Sequence, residues 1–232
     1  ILMLELITGS FSLTFVAVVG MELFNRTLTD RDLVSQSMML CRYFMCSRII
    51  REGLSWSKVE PGLPAPDGAL GDVLRVLLKL GDELDYLQPY LYRNVAKQLR
   101  ISVATETMVI DAFLSVATEI LSLETEFISK YLLPLPPLGI TWGKVVAIFA
   151  VAGGLAVDCV RQGHPAMLHT IVESLGELVG KSLASWLKKR GGWGDISKCV
   201  TSLDNTAQYH WLSAVVSTWR HLVKTMYVYL MK

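Results

Sequence analysis

The chain has 232 residues, a net charge of +1 and a composition that is 52% hydrophobic, with a mean hydropathy of +0.41. This length suits one compact domain, or one domain with a tail, and the hydropathy predicts a large core, a membrane-active segment or both. A net charge this close to zero provides no basic surface for nucleic acid, so we expect no nucleic-acid partner. The four cysteines form no Cys-x-x-Cys pair, and a reduced, cytosol-facing setting is the simpler interpretation.

The first 20 residues are nearly all apolar or small, and Glu5 is their single charge. A secretory signal would carry a basic segment before its apolar stretch, but no Lys or Arg precedes Arg26. We therefore expect residues 1–20 to be an N-terminal extension that reflects a fragment or an incorrect gene prediction, with Met21 as a plausible start. A true targeting segment is the alternative.

Helical signals dominate the rest of the chain and strand-like alternation is scarce, so we predict an all-α protein. Residues 60–68 and 132–139 each contain three prolines, which exclude helix. Gly191 and Gly192 form a further helix stop. Seven helices are predicted, at about 30–51, 70–87, 90–99, 105–121, 141–161, 166–190 and 207–231, with short helical turns after Trp193.

The second predicted helix carries an apolar stripe. Its members are spaced by four, three and four residues and are Val73, Leu77, Leu80 and Leu84. Gly81 follows the third member, although glycine in a helix interior costs about 1 kcal/mol relative to alanine. This cost suggests that another helix approaches closely. Asp82 lies beside the stripe, where it can meet a cation on the rim of a groove. An ordinary core helix is the alternative for the stripe alone.

The fifth predicted helix follows Thr141, which favours the N-cap position. From Val145 to Val157 it contains thirteen residues without a charge, so it is apolar on all its faces. We expect this helix at the centre of a bundle in the soluble form, and later transfer into a membrane is compatible with that position. Gly153 and Gly154 would permit tight packing or a local bend.

The sixth predicted helix ends in Trp186 and a run of cations, followed by Gly191, Gly192 and Trp193. The glycines end the helix, and we expect the tryptophans to bury a large area beside a groove. The cations suit a helix C-terminus, where the macrodipole favours positive charge, and contact with anionic lipid headgroups is the alternative. These cations are Lys188, Lys189 and Arg190.

Residues 205–232 are predicted to form a C-terminal helix that resembles a membrane anchor. Its apolar stripe includes Trp211, Val215, Trp219, Leu222 and Met226. Arg220 and Lys224 interrupt this helix, and a charge at the centre of a bilayer costs about 2.5–3.5 kcal/mol. We favour membrane anchoring, and packing of the helix into the groove of its own chain is the alternative.

Three of these segments resemble homology motifs of the Bcl-2 family of apoptosis regulators, and they occur in the family's order. The pattern Leu77-x-x-x-Gly81-Asp82 resembles the third motif, a helix that docks in a groove of a partner. Residues 139–146 resemble the first motif, and residues 190–193 resemble the second. The chain departs from the family at Thr141 and Lys144, where Asn and Arg are usual. It also departs in an insert at about 121–138, where the family has a tight connection.

The resemblance implies a multi-helix bundle around the central fifth helix, formed by residues 21–204 including the insert. It also implies a groove for docking helices, whose residues in this chain would be Trp142, Gly143, Lys144, Val145, Phe149, Gly192 and Trp193. In the family, the arginine of the first motif receives the aspartate of the docking helix. Because lysine lacks the planar fork of arginine, a contact between Lys144 and Asp82 would be less directional.

The function implied by the resemblance is that of a pro-apoptotic effector. Such a protein exposes its docking helix, forms homo-oligomers and permeabilises the mitochondrial outer membrane. The implied partners are Bcl-2 family proteins, further copies of the chain and membrane lipids, and the implied locations are the cytoplasm, the mitochondrial outer membrane and the endoplasmic reticulum. A survival factor that sequesters docking helices is the alternative, because both classes share these motifs.

We predict no enzymatic activity, catalytic residue, metal or cofactor. Cys159, His164 and His169 are separated by steps of five residues, which place them on different helical faces. Neither a zinc site nor a Cys–His nucleophile pair follows from that spacing.

Overall fold

A computed structural model describes residues 28–55, 66–87, 90, 92–122 and 139–201. Helices dominate this part of the chain and no strand occurs in it, which confirms the predicted all-α class. A π-helical segment, Val179–Leu183, joins α6 to α7, and a 3-10 turn, Trp193–Ser197, leads into α8. The helices are α1 (Asp30–Arg51), α2 (Gly68–Leu87), α3 (Val95–Gln98), α4 (Glu106–Ser122), α5 (Trp142–Arg161), α6 (Met167–Leu178), α7 (Ala184–Arg190) and α8 (Lys198–Thr201).

Helix α5 lies at the centre of the bundle, as predicted. Every residue from Val145 to Cys159 is buried, and the helix packs against α1, α2, α3, α4 and α6. Its N-cap is Thr141, whose hydroxyl accepts the backbone N–H of Lys144 at 3.3 Å. Within the described residues, α5 is the one helix long and apolar enough to cross a membrane by length and composition alone, and 89% of that segment is buried in the bundle.

The two adjacent glycines of α5 let neighbouring elements approach on two sides. A Cβ on Gly153 would lie 2.9 Å from Cγ of Arg48 and 3.1 Å from the ring of Phe44, both in α1. A Cβ on Gly154 would lie 2.6 Å from Cγ2 of Val95, the first residue of α3. The distances to Arg48 and Val95 are shorter than a side chain tolerates, and the distance to Phe44 is tighter than an ordinary contact. The predicted tight packing at these glycines is therefore confirmed.

The prediction for the third helix was wrong in its extent. A helix was expected at about 90–99, but only Val95–Gln98 is helical. Asn94 has a φ of 53°, in the left-handed region, which interrupts a helix at that position. The start of α3 is stabilised instead by Asp158 of α5, whose Oδ2 accepts the backbone N–H of Ala96 at 2.8 Å. Because this partner lies 62 positions away, no local pattern indicates where α3 begins.

The other boundaries follow the sequence closely. Helix α1 begins with a capping box in which Thr29 and Asp32 accept each other's backbone N–H, at 3.1 Å in both directions. The predicted sixth helix is a continuous helical run whose geometry changes to π-helical at Val179–Leu183. It stops at Gly191 and Gly192, whose φ values of +86° and +95° favour glycine.

Three predicted segments lie wholly or largely outside the described residues. They are the N-terminal extension 1–20, most of the insert 121–138 and the C-terminal helix 205–232. Leu121 and Ser122, which were predicted to start the insert, belong to α4. The predicted membrane-tail residues, Trp211, Val215, Trp219, Leu222 and Met226, also lie outside, so the anchor remains a prediction.

Candidate docking helix and groove

Helix α2 directs its apolar stripe into the bundle. The four members are at most 2% exposed, and they are Val73, Leu77, Leu80 and Leu84. The helix packs against α1, α5 and the 3-10 turn. Burying one such side chain contributes about 1.5–3 kcal/mol, so the stripe accounts for most of the attachment of α2. In this state the stripe is core, and any use of it as a ligand requires α2 to leave the bundle.

Gly81 allows α2 to approach α1 closely. A Cβ at this position would lie 2.6 Å from Nη2 of Arg48 and 2.8 Å from the ring of Phe44. These two side chains, which we call the α1 wedge, face Gly153 of α5 on the other side. The wedge therefore fits between two helices only because both lack a side chain at the point of contact. The close approach predicted from Gly81 is confirmed.

Asp82 and Asp85 connect the C-terminal half of α2 to α1. Asp82 pairs with Arg51 and lies 3.5 Å from Nη1 of Arg48. Asp85 accepts a hydrogen bond from Arg48. Neither arginine could be identified from the sequence, because these pairs join positions 31 and 37 residues apart. The predicted role of Asp82 in docking to a second molecule remains a prediction, but in this state its partners lie in its own chain.

Burial is the largest influence on the pKa values of Arg48 and Asp85. It lowers the pKa of Arg48, although the carboxylates of Asp85 and Asp82 act in the opposite direction. It likewise raises the pKa of Asp85, against the effect of Arg48. The side chain of Arg48 is only 9% exposed, and desolvation of a buried ion pair offsets much of its Coulomb attraction. The ion pair therefore contributes little net attachment to α2.

The predicted groove residues meet around the first half of α5. Trp142, Gly143, Val145 and Phe149 are buried there. Lys144 is partly exposed, and its Nζ donates to the carbonyl oxygen of Leu121 in the last turn of α4 at 3.1 Å. A cation is favourable at that position because the helix dipole is negative at its C-terminus.

Aromatic rings link α7 to α1 across this region. The ring centroids of Trp186 and Trp142 lie 4.9 Å apart, and those of Trp142 and Trp193 lie 5.9 Å apart. Phe149 continues the series at 5.8 Å from Trp193 and 5.9 Å from Phe44. Most of these pairs meet edge to face, a geometry that adds about 0.5–1.5 kcal/mol per pair beyond area burial. The rings therefore form one connected aromatic cluster rather than a set of separate contacts.

Asp195 is the polar centre of this aromatic cluster, and it was not predicted from the sequence. Its Oδ2 accepts hydrogen bonds from Nε1 of Trp142 at 2.9 Å and from Nη1 of Arg190 at 3.0 Å. Its Oδ1 lies 2.6 Å from Nζ of Lys198. Burial disfavours ionisation, but the three donors outweigh burial and lower the pKa of Asp195 to about 2. An acidic residue between two cations, close to Trp193, was the signal that could have identified it.

The second motif is held against α1. Gly192 is buried, and a Cβ there would lie 2.6 Å from Cδ1 of Leu28. The indole Nε1 of Trp193 donates to the carbonyl oxygen of Leu33 at 3.3 Å. The structure thus brings all seven predicted groove residues into one region, six of them buried. Their role as the lining for a docked helix remains a prediction.

Comparison with known proteins agrees with this geometry. The family described as "Apoptosis regulator proteins, Bcl-2 family" matches residues 77–193. Bcl-2-related ovarian killer protein homolog B from Danio rerio is 62% identical over 211 residues, which cover 91% of this chain and 93% of that protein. The human Bcl-2-related ovarian killer protein is 48% identical, over 91% of this chain and 92% of that protein. The crystal structure of chicken Bok superposes with a TM-score of 0.61 at 52% identity and covers 74% of this chain and 98% of that one. The chain therefore belongs to the Bcl-2 family of apoptosis regulators, in which it is similar to the Bcl-2-related ovarian killer proteins.

Proposed function

We propose that this chain is a non-enzymatic, pro-apoptotic effector that permeabilises the mitochondrial outer membrane. In this proposal, α2 leaves the bundle and docks in the groove of a second copy or of another Bcl-2 family protein. Amphipathic and apolar helices then insert in the membrane as the copies assemble. The proposed locations are the cytoplasm, the mitochondrial outer membrane and the endoplasmic reticulum.

One observation carries the proposal: the stripe with docking spacing is wholly buried in this state. Val73, Leu77, Leu80 and Leu84 are at most 2% exposed, so this face can bind a partner only after a conformational change. The sequence also predicts a connector without helix between α1 and α2, because it has prolines at positions 61, 64 and 66. A face that is core before release and ligand after release suits an effector that stays inactive until triggered.

The proposed membrane insertion and the choice of an effector over a survival factor are supported by α5 and by the relatives. Helix α5 has 20 residues, and at 1.5 Å per residue this is about 30 Å, the thickness of the hydrocarbon layer. The burial of α5 also suits a purely structural helix, so α5 is compatible with membrane insertion but is not the main basis for proposing it. The relatives that share about half or more of this sequence are named as killer proteins, which favours an effector over a survival factor.

Release of dye from cardiolipin-containing liposomes tests the proposal. We expect the full chain to release dye on mild warming. The variant Leu77→Ala should release it at least about tenfold more slowly, because it loses an anchor of the docking face. Leu175→Ala in α6 is the matched control, because Leu175 is also 0% exposed and either truncation costs about 2–5 kcal/mol of stability. The control should permeabilise at a lower temperature, since it loosens the bundle and leaves α2 intact.

Three results would contradict the proposal. Equal slowing by Leu77→Ala and Leu175→Ala would show that the stripe is only core. A chain that never releases dye under any activating condition is not a pore-forming effector. If such a chain binds docking-helix peptides and protects liposomes against another effector, the survival-factor alternative is correct.

A further inference from the structure

A cavity of about 410 Å³ lies between the C-terminal ends of α1 and α2, the start of α3 and the second half of α5. Ala150, Gly153 and Val157 of α5 form its apolar wall. Its volume falls within the range of small-molecule sites, about 300–1,000 Å³. The cavity lies away from the predicted groove residues, and none of them contributes to its lining.

Guanidinium groups from three parts of the fold face this cavity. Arg48 and Arg51 come from α1, Arg93 precedes α3, and Arg161 ends α5. The carboxylates in the lining are three, Glu52, Asp82 and Asp85, so the described lining carries one excess positive charge. Guanidinium is the group whose planar fork of donors best matches the oxygens of a phosphate.

Arg48 has unused hydrogen-bonding capacity at this position. Its Nη1 faces Asp85 and Asp82, whereas its buried Nη2 has no hydrogen-bond partner among the residues that the structure describes. The side chain is only 9% exposed. A buried donor without an acceptor costs about 1–3 kcal/mol, and a charged donor costs more. Because Nη2 lies against Gly81 of α2, an occupant that offers acceptor oxygens would remove this cost only by displacing the end of α2.

We propose that the cavity binds a phosphomonoester group. Its two negative charges and three terminal oxygens would engage Arg93 and Arg161, with the α1 arginines behind them. Both Arg93 and Arg161 pair with Glu52 in this structure, so a bound phosphate would replace that carboxylate as their partner. Tyr86 lies at the rim and is 83% exposed, so its ring can contact whatever carries the phosphate. The same chemical group occurs on soluble phosphate esters and on lipid headgroups. The experiment therefore includes both sources.

The carboxylates of helix α2 compete with a bound phosphate for the arginines of the cavity. The helix supplies the carboxylates of Asp82 and Asp85 and the ring of Tyr86 to the lining, but no cation. Arg51, which pairs with Asp82, would turn to a bound phosphate at the expense of that pair. Removing the charge of Asp82 should therefore tighten phosphate binding. A gain of affinity is a strong test, because a misfolded variant cannot produce it.

The test uses the full 232-residue chain and measures binding, so its result is independent of pore formation. Inorganic phosphate and glycerol 3-phosphate are titrated by calorimetry at pH 7.5. Phosphatidylcholine vesicles with phosphatidic acid, or with phosphatidylglycerol at equal surface charge, are tested by co-sedimentation. We expect Arg93→Gln combined with Arg161→Gln to weaken binding about tenfold, and Asp82→Asn to tighten it about threefold.

Arg75→Gln is the matched control, because it removes an arginine that is 79% exposed and pairs with Asp72 within α2. Binding of the soluble esters that responds to these variants supports a soluble ligand. Binding confined to phosphatidic acid vesicles, above the phosphatidylglycerol level, supports a lipid headgroup. The proposal is overturned if neither source binds, if the double variant behaves like Arg75→Gln, or if Asp82→Asn fails to tighten binding.

Discussion

Asp85 and Asp195 are both carboxylates that accept a hydrogen bond from an arginine, yet their surroundings shift their titration in opposite directions. Burial raises the pKa of Asp85 despite its partner Arg48. Three donors lower the pKa of Asp195 to about 2 despite its burial. The charged form of Asp85 is therefore held less firmly in the fold than in the unfolded chain, and the charged form of Asp195 is held more firmly.

We expect this difference to distinguish a weakly held part of the bundle, which can move, from a firmly held part. The end of α2 combines a buried ion pair of small net value with the exposed pair of Asp82 and Arg51, at 50% and 48% exposure. The region around Asp195 joins α5, α7 and α8 by hydrogen bonds and interlocking rings. We infer that the end of α2 loosens before the Asp195 region opens, while the apolar stripe keeps the rest of α2 attached.

The largest effect that sharpens this comparison is expected at Asp195. Asp195→Asn should lower the free energy of unfolding at pH 7 by about 2–3 kcal/mol, because three donors lose their charged acceptor. Since the folded pKa lies below the ordinary value, this stabilisation is present above about pH 4 and is lost as the pH falls towards 2. Urea denaturation between pH 2 and 7 should therefore show the two proteins converging in acid.

Asp111→Asn is the control, because Asp111 is exposed on α4 and its substitution should change stability little. A deficit of Asp195→Asn that persists unchanged at pH 2 would show that the charge of Asp195 does not hold this region. If Asp195→Asn destabilised α2 more than α7, the comparison between the end of α2 and the Asp195 region would fail.

Features that depend on local chemistry could be predicted from the sequence, and features that depend on distant partners could not. Thirteen residues without charge predicted the central position of α5, and Gly191 with Gly192 predicted where the sixth helix stops. The start of α3 could not be predicted, because its cap, Asp158, belongs to another helix. Arg48 was missed for the same reason, since its carboxylate partners lie on α2.

The motifs illustrate the same limit within the candidate site. The spacing of Leu77, Gly81 and Asp82 indicated a helix that docks in a groove, and Gly81 also predicted the close approach of another helix. The spacing contained no information on the α1 wedge, whose side chains occupy the space beside Gly81. Asp195 follows Trp193 by two residues, but its value as an acceptor depends on Trp142, 53 positions earlier.

A smaller effect, specific to α2, is expected at Gly81. Gly81→Ala should cost about 1–2 kcal/mol, because the new Cβ would lie 2.6–2.8 Å from the α1 wedge. The ring of Phe44 cannot retreat, since Gly153 of α5 allows no more room on its other side. Native-state hydrogen exchange should quicken in α2 while α5 and α7 keep their protection.

Gly180→Ala is a suitable control, because a Cβ there would meet only Cγ2 of Val34, at the ordinary contact distance of 3.4 Å. It should leave the exchange of α2 unchanged. Uniform loss of protection across the bundle in Gly81→Ala would mean that α2 cannot open separately, and the division into a movable and a fixed part would fail.

The smallest effect is expected at Asp82, and it tests the weak side of the comparison directly. Asp82→Asn should reduce stability by less than about 1 kcal/mol, and added salt should reduce the difference further, because both partners of its pair with Arg51 are about half exposed. Asp72→Asn, which breaks an exposed pair within α2, should cost equally little but leave the exchange of the last turns of α2 unchanged. Of these two variants, only Asp82→Asn should quicken that exchange, because Asp82 pairs with α1 whereas Asp72 pairs within α2. If it instead costs as much as Asp195→Asn, the end of α2 is held as firmly as the Asp195 region. Release of the docking helix would then have to begin at the apolar stripe, where each leucine to be exposed costs more than the ion pair.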